Sequence, residues 1–207
     1  MGYLIGGPSR CGKTTLTKKL YPRAKAGFVS TDDLKHVFMS GMPKADWSRR
    51  FPLSSQVATK KGQLNIEQFT SREIISAVES EARTIWPAVR WLIEKRASWG
   101  DSYVVEGIHL LPSLITQLRE SEVWNSIRLM YLVKTDKEAI KKGFEKGGRD
   151  DLHKLRNTET LERSARLVSD HSVQYVAEME KFELDHVDVS KGFTKKIDEV
   201  CSRLLGV

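Results

Sequence analysis

The chain has 207 residues, 29% of them charged, and 34 Lys and Arg against 27 Asp and Glu leave a formal net charge of +7. A mean hydropathy of −0.40 and the lack of any apolar run near the roughly 18 residues of a membrane span exclude a helical membrane protein. At this length one α/β domain buries enough surface to need no metal or disulfide staple.

Cys11 and Cys201 lie far apart without metal-ligand spacing and read as two reduced thiols. The first residues show no basic and long apolar leader, so a cytoplasmic location and no membrane partner are expected. The positive charge suits either nucleic acid or an electropositive cleft for ATP and an anionic acceptor, and charge alone does not choose. No RNP-like motif, zinc-finger spacing, repeat or low-complexity arm strengthens the nucleic-acid reading.

In chain order, the apolar run 2–5 predicts a strand that feeds a glycine loop, and residues 14–20, with Leu16 and Leu20 at helical spacing, predict a helix. A second strand is expected over 27–30, with Thr31, Asp32 and Asp33 capping a helix that runs to about Met39. Residues 40–65, rich in Gly and Pro, read as an irregular or partly helical acceptor-side insertion. The stripe Ile74, Ile75, Val78, Ala82, Ile85, Val89, Leu92 and Ile93 predicts helix, with Pro87 marking a kink or a break into two helices. Trp86, Trp91 and Trp99 are expected in core or interhelix packing.

Strands are further expected over 102–106, 127–133 and 185–189, with helices over 112–120, 136–145, 158–182 and 193–205. The glycine-containing charged stretch 146–157 suits a lid. Alternating strands and helices, and the continuous apolar character of 127–133, predict an α/β fold. It is a three-layer, doubly wound parallel sheet of about five strands, with its ligand beyond the carboxyl ends of the strands.

Gly7-Pro8-Ser9-Arg10-Cys11-Gly12-Lys13-Thr14 satisfies GxxxxGK[ST], the Walker A pattern, between a predicted strand and a predicted helix. Such a P-loop curls so that backbone N–H groups surround phosphate oxygens at a helix N-terminus. Lys13 is expected on the β- and γ-phosphates of ATP, Thr14 on Mg²⁺ and Thr15 on the α-phosphate. Cys11 reads as a small loop residue rather than a redox switch. A GTPase would carry DxxG and NKxD, and neither string occurs.

Asp32 ends the second strand where a carboxylate faces the γ-phosphate and accepts the proton of an attacking hydroxyl. The alternative is that Asp32 and Asp33 only cap the helix. Glu106, at the end of the next predicted strand, either holds Mg²⁺, through a bound water, or the acceptor, or bonds the neighbouring loop. His109 either touches the acceptor or is a satisfied loop histidine. Arg149 and Arg156 stabilise transition-state charge from the lid or belong to a solvated charge run. Arg49, Arg50, Lys60, Lys61 and Arg72 line an anionic acceptor site or sit on solvated surface. Arg163 and Arg166 read as surface ion-pair partners.

GGPSRCGKTT, VSTDDLK and VVEGIHLLP together resemble the 2-phosphoglycerate kinases and their P-loop relatives, strongly in the P-loop and in residues 104–112. The aspartate after the second strand is also similar in position to the base of polynucleotide 5′-hydroxyl kinases, zeta-type toxin kinases and chloramphenicol phosphotransferases. The resemblance implies a nucleoside-monophosphate-kinase-like fold, with ATP and Mg²⁺ as cofactors and a small hydroxylated, phosphorylated metabolite as acceptor. It also implies that Asp32 is the base. Unlike those families, the chain has few arginines in the lid stretch. Two rival functions stay open, a polynucleotide 5′-hydroxyl kinase and a slow ATPase acting as a nucleotide-dependent binding module.

Overall fold

The computed structural model describes residues 1–57, 66–145 and 158–207. Five short segments form its sheet: β1 (Gly2–Gly6), β2 (Gly27–Ser30), β3 (Tyr103–Gly107), β4 (Ile127–Val133) and β5 (His186–Asp188). All pairings are parallel, in the order β2-β3-β1-β4-β5. β1 lies at the centre, with Gly6 level with Gly107 of β3 and Tyr131 of β4, while Ser30 of β2 is level with Glu106. The carboxyl ends of three neighbouring strands therefore open onto one edge, and the loop after the central strand lies in the middle of it.

Side chains alternate across a strand, and here both faces are covered. Leu4, Tyr103, Val105, Tyr131 and Val133 enter one core with Ile85, Val89 and Ile93 of the helix α4 (Ser71–Ser98). Tyr3, Ile5, Val104, Met130 and Leu132 enter the other, with Leu16 and Leu20 of α1 (Lys13–Arg23) and Ile197, Val200 and Leu204 of α8 (Phe193–Leu205). α2 (Thr31–Ser40) follows β2 directly. The chain then runs through a 3₁₀ turn, the short α3 (Trp47–Arg50) and a π-helical turn (Leu53–Val57). Leu53 and Val57 join Ile66, Ile74, Ala77 and Val78 in a third, smaller apolar cluster, which fastens this segment to α4.

α5 (Pro112–Ile115), α6 (Lys137–Glu145) and α7 (Thr158–Phe182) complete the helices. Several expectations need correction. α4 runs unbroken through Pro87, whose ring lies on the exposed face. The helix expected over 112–120 is one α-turn continued as 3₁₀. Trp86 is buried, but Trp91 and Trp99 are 62% and 58% exposed, so the core reading holds for one tryptophan of the three. Trp99 instead lies beneath the side-chain cations of Lys95 and Arg96. The residues expected to form the lid, Arg149 and Arg156 among them, lie outside the described residues, as do Lys60 and Lys61. No helix among the described residues is long and apolar enough to cross a membrane.

Candidate active site

The loop between β1 and α1 is shaped by two glycines that nothing larger replaces. A Cβ on Gly7, at φ +129°, would lie 2.0 Å from the Leu132 carbonyl oxygen, and one on Gly12, at φ +93°, would lie 2.6 Å from the Phe193 ring. Gly12 caps α1 without a side-chain bond, so the first amides of that helix keep their donors for a ligand. Pro8 is buried, Ser9 is exposed, and Arg10 takes the left-handed conformation with its guanidinium over the Phe144 ring. Cys11 is buried against Ser172 of α7, and burial pushes its thiol up.

Lys13 opens α1 and is almost fully buried, its Nζ donating to the Pro8 carbonyl at 2.7 Å. Burial lowers its proton affinity, while Cys11, Glu106 and Asp32 act in the opposite direction. Thr14 and Thr15 follow on exposed positions. The Thr14 hydroxyl donates to Glu106 Oε1 at 3.2 Å, which brings the end of β3 against the phosphate loop. Burial raises the Glu106 carboxyl above its ordinary range, and Asp32 and Asp33 add to this against the pull of Lys13 and the Thr14 hydroxyl. A cation between Thr14 and Glu106 would relieve that concentration of negative charge. Among the described residues no three His, Cys, Asp or Glu side chains form a metal cage. Two protein oxygens beside a phosphate site suit Mg²⁺, which keeps waters and phosphate oxygens as its remaining ligands.

Asp32 stands in the first turn of α2. Ser30, rather than Thr31 or either aspartate, caps this helix, its Oγ accepting from the Asp32 N–H at 3.2 Å. Capping therefore makes no demand on the Asp32 carboxylate, which is half-exposed. Its burial would raise its pKa, but His109, Lys35, Lys13 and His36 outweigh that and hold the carboxyl below its usual range. His109 is fully buried, shares a 2.9 Å hydrogen bond with Thr31 through Nδ1, and has that nitrogen 3.9 Å from Asp32 Oδ1.

The remaining candidates are more dispersed. Arg49 is on the surface, paired with Asp46 at 3.3 Å. Arg72 lines a cleft of about 390 Å³ with Gln56, Val57 and Phe69. Arg163 forms a surface pair with Glu159. Two charged residues at the site were not among the candidates: Lys35, which ends the VSTDDLK segment and lies 3.6 Å from Asp32, and Glu81, which no motif marks and which lies 3.4 Å from Lys35. Glu81 breaks the apolar stripe of α4 between Val78 and Ala82, and that interruption is the signal a sequence offers.

No protein-family model and no curated protein sequence matches the chain. Solved structures do share its fold. A shikimate kinase from Acinetobacter baumannii, in complex with shikimate, superposes with a TM-score of 0.55 at 12% identity, covering 99% of this chain and 93% of that one. A sugar kinase from Janibacter sp. HTCC2649 gives 0.53 at 15% identity, covering 100% and 94%. A gluconokinase from Sinorhizobium meliloti 1021 gives 0.52 at 14% identity, covering 99% and 91%. The all-parallel five-stranded sheet with helices on both faces is thus the P-loop, nucleoside-monophosphate-kinase-like fold.

Proposed function

We propose that the chain is an ATP- and Mg²⁺-dependent kinase that moves the γ-phosphate onto a hydroxyl of a small, phosphorylated metabolite, in the manner of a 2-phosphoglycerate kinase. The observation that carries this reading is the meeting of Lys13, Thr14, Glu106 and Asp32 at the carboxyl ends of three adjacent strands. A module that only hydrolyses ATP would use the same carboxylates for metal and water, and transfer of the label to an acceptor is what separates it from a kinase. The shared fold of proteins named as sugar and shikimate kinases supports the same reading.

Phosphoryl transfer is catalysed chiefly by positioning and by cations around the moving group. The loop amides and Lys13 bind the phosphates, and Thr14 and Glu106 hold the cation, which when bound neutralises phosphate charge. Asp32 orients the acceptor hydroxyl and takes its proton. Lys35 and Lys13 set two ammonium groups beside Asp32, which suits an acceptor that carries an anionic group. Arg149 and Arg156 supply further cations from the stretch 146–157, within one kinase domain spanning 1–207.

The net charge of +7 favours a second reading, a 5′-hydroxyl polynucleotide kinase. γ-Labelled ATP offered with 2-phosphoglycerate and with a 5′-hydroxyl oligonucleotide across a salt series separates the two. A polynucleotide enzyme neutralises several phosphates, so its binding falls with a log–log slope of about −0.7 per phosphate on a single strand. Labelled metabolite with a shallow salt dependence is expected, and labelled oligonucleotide alone would transfer the assignment to nucleic acid.

A further inference from the structure

Glu81 projects from the middle of α4, and its side chain is fully buried. A buried carboxylate is costly unless hydrogen-bonded and paired, so the partners that hold it indicate what it is for. Its Oε1 accepts from the Ser54 N–H at 2.6 Å and its Oε2 from the Ser54 hydroxyl at 3.1 Å. The same Oε2 is 3.4 Å from the Lys35 ammonium and 4.0 Å from His109 Nε2, a buried nitrogen without a hydrogen-bond partner among the described residues. Lys35 Nζ and His109 Nδ1 in turn lie 3.6 and 3.9 Å from one and the same oxygen of Asp32, Oδ1. Two parallel routes thus join Glu81 to a single oxygen of the half-exposed Asp32.

We propose that Glu81 is a positioning residue for Asp32, sharing the Lys35 ammonium and the His109 ring with it so that neither closes fully onto the carboxylate that must take a proton. Its hold on Ser54 ties this arrangement to the Leu53–Val57 turn, on the acceptor side. The inference rests on the kinase reading for its consequence in turnover, but the electrostatic sharing stands or falls independently of activity. Burial, which would raise the Glu81 carboxyl, is outweighed by His109, Lys35 and the Ser54 amide, so Glu81 and Asp32 are both charged at neutral pH. Lys13 from the phosphate loop and His36 from α2 also face Asp32 and stay constant in the comparison below.

The test is the Asp32 carboxyl ¹³C titration in the intact protein and in two variants. Glu81→Gln keeps an oxygen for Ser54 but removes the charge that draws Lys35 away, so the Asp32 midpoint moves to lower pH. Lys35→Met removes the shared cation and moves the midpoint to higher pH. Each displacement is expected to reach half a pH unit. Where transfer is followed, both variants lose about tenfold or more in kcat with KM for ATP within twofold of the parent, and Lys35→Arg restores most of the rate.

Unmoved midpoints, or two midpoints moving the same way, overturn the proposal whatever the activity. If Glu81→Gln does not fold, the Lys35→Met midpoint and its reversal by Lys35→Arg decide. Opposite displacements in a protein that phosphorylates nothing uphold the coupling and refute the kinase reading.

Discussion

The Lys13 ammonium rests on the Pro8 carbonyl at 2.7 Å, a neutral acceptor that a phosphate oxygen outcompetes because it adds the attraction between two opposite full charges. Lys13→Ala removes that contact, and the loop amides cannot replace it. We expect a loss of two or more orders of magnitude in turnover with the fold retained, measured as phosphate transfer beside a far-UV spectrum. The two acidic residues of the site respond to pH in sequence. Glu106, held above the usual carboxylate range by burial, takes up a proton first as pH falls. Asp32, held below it by the cations around it, protonates last. The Mg²⁺ concentration required for half-maximal activity therefore rises on mild acidification, while turnover at saturating Mg²⁺ falls only at lower pH. A loss of turnover that precedes the change in Mg²⁺ requirement contradicts this order.

Among the elements, β3 and α2 are joined by a contact that only glycine allows. A Cβ on Gly107 would lie 1.8 Å from Thr31 Oγ1, the atom that holds His109. Gly107→Ala should displace Thr31 and the imidazole together, lowering kcat more than the affinity for ATP, as paired kinetic and binding measurements would show. The P-loop and the two strands beside it were legible because glycine spacing and apolar runs are local signals. Pro87 was not, because the local cost of a proline in a helix, a lost hydrogen bond and a clash with the preceding turn, is offset by tertiary packing, here of Ile85, Trp86 and Val89 on the core. Trp91 and Trp99 look like core residues in sequence for the opposite reason. Their size suggests burial, but the α4 face that carries them packs on nothing among the described residues that buries them. Glu81 and Lys35 stand 46 residues apart, and no spacing rule joins two charges that meet only when α4 crosses α2.

For the whole molecule, the parallel sheet follows from the alternation of elements, and the site follows from the order of its strands. β1 between β3 and β4 places the phosphate loop at the centre of the strand ends. β2 beside β3 then sets Asp32 and Glu106 on the same side of it. On the proposed function, this edge both binds Mg²⁺·ATP and transfers its γ-phosphate through Asp32. A general base contributes about 10²- to 10⁴-fold to rate and little to ground-state binding. The most direct measurement pairs Mg²⁺·ATP affinity with phosphate transfer from γ-labelled ATP to phosphorylated glycerates, in the parent protein and in Asp32→Asn. Labelled metabolite with the parent, unchanged ATP affinity in the variant, and transfer reduced at least a hundredfold are expected. Parental transfer by Asp32→Asn, or tight ATP binding by the parent with no phosphate passed to any hydroxyl acceptor, would contradict the proposed function.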